Sequence, residues 1–209
     1  MFTLLILNNI FISYIFQNLF YKKINKDYSW IKGEIIYKKH VNYLYTLINL
    51  FLIHFFQYLI YQKYNLDYII LINYSILISS ILLLFRLDMN FKLLPRLIIY
   101  PLLLLSIYHN YYMGYNIYYK LLDAIIIYGI IYLPMFIYSL LKSENHISLG
   151  DVNYLVLISM WLDLTSSLYI LLLTILTFIV IFKLKGIKDF YPFGHIMSFY
   201  FLLYLGYKI

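Results

Sequence analysis

The sequence predicts an all-α fold, a polytopic membrane helix bundle of about eight transmembrane helices. Three observations predict it. Only 12% of the residues are charged, roughly half the share found in soluble domains, and the mean hydropathy is +0.81. Eight apolar stretches can be counted along the chain, several of them near the ~20 residues a bilayer demands. The basic residues collect in alternate loops, the signature of cytoplasmic segments.

The spans can be justified in order. The first, 2–21, carries Asn9, Ser13 and Gln17 at four-residue spacing, which places them on one helical face. That face is expected to turn into the bundle, because polar groups facing lipid would go unsatisfied. The stretch has no basic residue ahead of it and no small-residue cleavage site, so it is expected to be retained rather than removed as a signal peptide. The second, 43–61, holds His54 and Gln57, and His54 is expected to be hydrogen-bonded inside the bundle. The third, 68–85, precedes FRLDMNFKLLPR and leaves Asp88 at its exit, in a loop over 86–96. The fourth runs over 97–113. The fifth, 120–141, contains Gly129 and Pro134, both tolerated in membrane helices. The sixth, 151–164, is short, and only Asp163-Leu-Thr-Ser-Ser parts it from the seventh, 166–182. The last, 192–208, starts at Pro192, a residue suited to a first helical turn.

The loops set the topology. Lys22, Lys23, Lys26, Lys32, Lys38 and Lys39 lie in loop 22–42; Arg86, Lys92 and Arg96 in loop 86–96; Lys142 in loop 142–150; Lys183, Lys185 and Lys188 in loop 183–191. Of the 16 basic residues, the opposite side retains only Lys63, Lys120 and Lys208. This asymmetry puts both chain ends outside and accounts for the net charge of +7 without nucleic acid. Loop 22–42 is short, so residues 1–209 are read as one integral membrane domain with no separate soluble part. Cys is absent, which excludes disulfides, thiolate metal sites and cysteine catalysis. The 27 Tyr and 16 Phe accompany abundant Ile, Asn and Lys, and are read as a bias of genome composition rather than an aromatic binding surface.

Two aspartates fall on the cytoplasmic side at helix ends: Asp88, after the third span, and Asp151, within HISLGDVNYL at the start of the sixth. If helices three and six are neighbours, the carboxyl groups can face each other. Like charges a few ångströms apart do not both ionise cheaply, so one proton is shared. The ionised partner can then take a proton from water while the other polarises a scissile carbonyl, the logic of aspartic proteases. Simpler roles stand beside this one. Asp151 suits the N-terminus of a helix as a cap, and Asp88 lies two residues from Arg86, with which it could form a surface ion pair.

Ser148-Leu149-Gly150-Asp151-Val152 resembles the GxGDV motif of the type IV prepilin peptidases, which are membrane aspartic proteases. Asp88 stands seven residues before Pro95 in DMNFKLLP, similar to the family's first aspartate, and Pro101 in IIYPLLLL matches a further family proline. Tyr191-Pro192-Phe193-Gly194 resembles the C-terminal PFG signature, and FISYIFQNLFYKK is faintly similar to the N-terminal segment. The resemblance implies an aspartic endopeptidase of a bacterial inner membrane that cleaves the short basic leader from prepilins or pseudopilins, at the cytoplasmic face. It implies Asp88 and Asp151 as the catalytic pair, with Ser148, Gly150, Pro95, Pro192 and Gly194 as supporting motif positions. It requires no metal and no cofactor for hydrolysis.

The chain also departs from that pattern. Ser148 replaces the first glycine, Asn153 the usual lysine, and His195 follows Gly194 where the family often has proline. Many relatives carry a four-cysteine zinc-binding segment in the region of loop 22–42, which here has none. No counterpart is evident for the glutamate associated with N-methylation, so S-adenosylmethionine is expected only if methyl transfer is retained. Two other functions compete: a small transporter or channel using Asp88, Asp151, His54 and Asp123 as titratable groups, and a scaffold that keeps the fold without the activity. His146, in the loop before Asp151, is read as solvated.

Overall fold

A computed structural model of the chain describes residues 2–24, 39–64, 67–92, 94–142, 149–185 and 193–209. Ser148, Pro192, His146 and the loop residues Lys26, Lys32, Lys38 and Lys188 lie outside them. Among the described residues there are eight helices and no strand. Helix α1 (Phe2–Tyr14) continues directly into a π-helical run, Ile15–Phe20. Then come α2 (Lys39–Tyr64), α3 (Tyr68–Phe91), α4 (Arg96–Tyr112), α5 (Ile117–Lys142), α6 (Leu149–Trp161), α7 (Leu164–Lys185) and α8 (Gly194–Lys208).

Each apolar stretch of the sequence becomes a helix, and four of the eight are long and apolar enough to cross a membrane, within α2, α3, α5 and α7. Helix α6 has 13 residues and is about 20 Å long at 1.5 Å per residue, less than the ~30 Å of a hydrocarbon core.

The third helix outruns its predicted end. It continues through Arg86 and Asp88 to Phe91, because Leu83, Leu87 and Phe91 keep one apolar face buried at four-residue spacing. Arg86 is therefore a helical residue, not a loop residue, and is 2% exposed. The helix stops at Lys92, whose φ of 55° lies in the left-handed region, and Pro95 caps the start of α4 in an extended conformation.

The chain falls into two compact units, Met1–Leu87 with Gly206–Ile209, and Asp88–Leu205. The first is held by a polar ladder. Asn9, Ser13 and Gln17 are all fully buried, as their spacing predicts. Asn9 and Gln57 exchange side-chain amide hydrogen bonds at 2.7 and 3.0 Å, and Gln57 also donates to Ser75 at 2.8 Å. One turn further on, Asn49 donates to Ser13 and Ser79 at 3.2 and 3.0 Å. Gln17, in the π-helical run, donates to the Ser79 carbonyl at 3.1 Å. Amide bonds of this kind join helices where lipid offers no competing partner.

The Arg86 guanidinium lies 3.4 Å from the centroid of the Tyr21 ring and 4.5 Å from that of Tyr45, and donates to the Gln17 main-chain carbonyl at 3.1 Å. Two aromatic faces and a carbonyl offset the burial of its charge. His54, by contrast, is exposed on α2, and its Nδ1–H donates to the Leu50 carbonyl of the same helix at 2.7 Å. The sequence places it inside the bundle; the α2 face that turns inward instead carries Asn49, Ile53, Gln57 and Ile60.

In the second unit α6 is central, packing on α4, α5 and α7. It is apolar on all sides and buried from Val152 to Trp161 except at Asn153 and Val156, as expected of a helix with no polar face. Its C-terminal carbonyls are satisfied by neighbours: Asn110 of α4 donates to the Met160 carbonyl at 2.8 Å, and Lys120 of α5 donates to that of Leu162. The break before α7 falls at Asp163, as the sequence predicts. Asp163 accepts the Ser166 N–H at 2.6 Å as a cap, and Asp123 accepts the Leu164 N–H at 3.3 Å.

Candidate active site

The last turn of α3 presents Asp88 with only 3% exposure, so the surface ion pair considered from the sequence is not what the fold builds. A buried carboxylate needs donors. Oδ2 of Asp88 accepts the main-chain N–H of His195 at 2.8 Å, and His195 Nδ1 lies 3.7 Å from the same oxygen. His195 is the second residue of α8, where main-chain N–H groups lack intrahelical acceptors and the helix dipole favours negative charge. Asp88 thus takes a capping position, on α8 rather than on its own helix.

Asp151 lies half-buried in the first turn of α6, on the positive end of that helix. Three residues on, the fully buried Tyr154 makes a 2.8 Å hydroxyl contact with Ser198 of α8, and Ser198 donates back to the Gly194 carbonyl at 2.9 Å. The helices carrying the two aspartates are therefore both tied to the first turns of α8.

Leu94 completes the arrangement. A Cβ on Gly150 would lie 3.2 Å from both the Cβ and the main-chain oxygen of Leu94, and a Cβ on Gly194 would lie 2.7 Å from a Leu94 δ-methyl. Both glycines are needed for close approach rather than for unusual backbone angles. Six residues after Asp88, Leu94 is seated between the glycine preceding Asp151 and the glycine preceding His195. Pro95, buried beside it, starts α4 by accepting the Ile98 N–H at 3.0 Å.

Of the residues singled out from the sequence, Pro95, Gly150 and Gly194 converge on Leu94 or adjoin it, and Asp88 and Asp151 belong to the segments they join. Ser148 and Pro192 lie outside the described residues. Sequence reasoning missed Leu94, Tyr154, Ser198 and the main-chain role of His195. An apolar residue before a proline and a serine in an apolar helix give no signal of their own. Asp123 acts as a hydrogen-bond acceptor at the start of α7, and His54 bonds within its own helix, which gives structural roles to two groups that a transport function would need.

A family model described as the type IV leader peptidase family matches residues 75–183, more than half the chain and a span that includes both Asp88 and Asp151. No curated protein and no solved structure matches the chain.

Proposed function

The chain belongs to the type IV leader peptidase family, and from that premise we propose that it is a membrane aspartic endopeptidase that removes the basic leader of prepilins or pseudopilins at the cytoplasmic face, with Asp88 and Asp151 as its catalytic pair. The observation that carries this function is the meeting of three motif segments. Leu94, after Asp88, packs on Gly150, before Asp151, and on Gly194, whose neighbour His195 holds the Asp88 carboxylate.

The proposed chemistry is peptide hydrolysis without a metal or cofactor. One carboxylate takes a proton from water as the water oxygen adds to the scissile carbonyl carbon, and the other carboxyl group gives its proton to the carbonyl oxygen. The tetrahedral adduct then collapses, the C–N bond breaks, and a proton passes to the leaving amine. The substrate's leader and first apolar helix lie in and against the bilayer. That helix must unwind locally at the cleavage point, because helical carbonyls are engaged in hydrogen bonds.

We place the protein in a bacterial inner membrane as a multi-pass chain with both termini outside. The four helices able to cross a membrane and the collection of most of the 16 basic residues in alternate segments of the sequence support that placement.

The test is co-expression with a prepilin-type substrate, read by the mobility shift on leader loss. Asp88→Asn and Asp151→Asn should each abolish processing while the protein remains in the membrane at normal levels. Normal cleavage by either variant would remove the proposed pair.

A further inference from the structure

We propose that the peptide N–H of His195 is a positioning group for Asp88. It fixes Oδ2, so that the carboxyl group presents Oδ1 to water and substrate. The inference rests on Asp88 being catalytic.

The contact is short and its donor is rigid. At 2.8 Å the bond lies within the range of a charge-assisted N–H···O interaction. The imidazole, at 3.7 Å from the same oxygen, is beyond hydrogen-bond distance, so the main chain rather than the side chain sets the geometry. The donor cannot easily follow the carboxylate if it rotates. Gly194, Ile196, Met197 and Ser198 of α8 are all buried, Tyr154 makes its hydroxyl contact with Ser198, and Leu94 packs against Gly194.

A free carboxylate exchanges its two oxygens by rotation about the bond to Cβ. Seating Oδ2 on a fixed N–H makes the oxygens inequivalent before substrate arrives, which is preorganisation of the kind that raises turnover rather than affinity. Position 195 lies outside the matched span, 75–183.

A main-chain donor can be removed by proline, and the first turn of a helix accepts proline without losing an internal hydrogen bond. The decisive comparison is between His195→Ala, which keeps the N–H and removes the imidazole, and His195→Pro, which removes both. The full-length proteins are assayed in detergent on a substrate with a short basic leader ahead of a ~20-residue apolar helix. The proline variant should show kcat at least about tenfold below the alanine variant, with equal KM and with the fold retained at the assay temperature.

Should the proline variant fail to fold, the α-hydroxy analogue of alanine incorporated at position 195 replaces the amide by an ester. It removes the N–H alone and should give the same loss of kcat. Equal kcat for the alanine variant and its N–H-deleted counterpart would overturn the inference and leave the catalytic role of Asp88 standing, as would an effect confined to KM. Normal cleavage by Asp88→Asn would overturn both.

Discussion

The main-chain oxygen of Leu94 lies 3.2 Å from the point that a Cβ would occupy on Gly150. A carbonyl held in the backbone cannot swing aside, so Gly150→Ala must push the start of α6, and Asp151 with it, away from the segment that follows Asp88. Gly194→Ala meets a different neighbour, the flexible end of the Leu94 side chain at 2.7 Å. Each change should lower stability by about 1–3 kcal/mol. Leu94→Ala, itself destabilising because it empties a buried site, should cost markedly less on Gly194→Ala than on Gly150→Ala. An equal cost on both would show that side-chain crowding alone governs Gly150.

The two carboxyl groups should behave as one device. Asp88→Asn and Asp151→Asn are each expected to lower kcat by about 10²–10⁴-fold, and the double variant should be no slower than the worse single variant, since residues acting as a unit are strongly non-additive. Multiplicative losses in single-turnover assays would contradict a shared role.

The reciprocal amide pair Asn9–Gln57 makes a stability prediction. Gln57→Leu leaves Asn9 short of its partner in an apolar setting and should cost about 0.6–1.7 kcal/mol, the range seen for hydrogen bonds between membrane helices. Asn9→Leu combined with Gln57→Leu should cost less than the sum of the two single changes. A thermal double-mutant cycle in detergent checks this, with additivity as the contrary result.

Arg86 should not be replaceable by lysine. The planar guanidinium stacks on Tyr21 while donating to the Gln17 carbonyl, and an ammonium on a flexible stem cannot reproduce both contacts. Arg86→Lys should destabilise by about 1–2 kcal/mol, and Tyr21→Leu, which removes the ring, should destabilise by a similar amount. A melting curve for Tyr21→Leu that matches the unaltered protein would remove the ring from the account.

Much of the fold was legible in the sequence because its signals are one-dimensional. Apolar length gave the helices, the Asn9, Ser13 and Gln17 spacing gave a buried face, and Asp163 gave the break between α6 and α7. Where the reading missed, a distant partner decided the outcome. Arg86 looked like the end of a span because a charge is expensive in lipid, yet Tyr21 and Tyr45, some 40 to 65 residues earlier in the chain, offset that expense and let α3 run on past Asp88. Nothing local marks the π-helical run over Ile15–Phe20. In the candidate site, the motif residues could be read from spacing, whereas Leu94 and the His195 N–H acquire their roles only when three separated segments meet.

The bond between Asp88 and position 195 comes from a peptide unit, so the carboxylate is blind to which side chain sits there. Nineteen of the twenty genetically encoded residues would offer it the same hydrogen. Mutational drift at that codon is then silent toward Asp88 until it reaches proline.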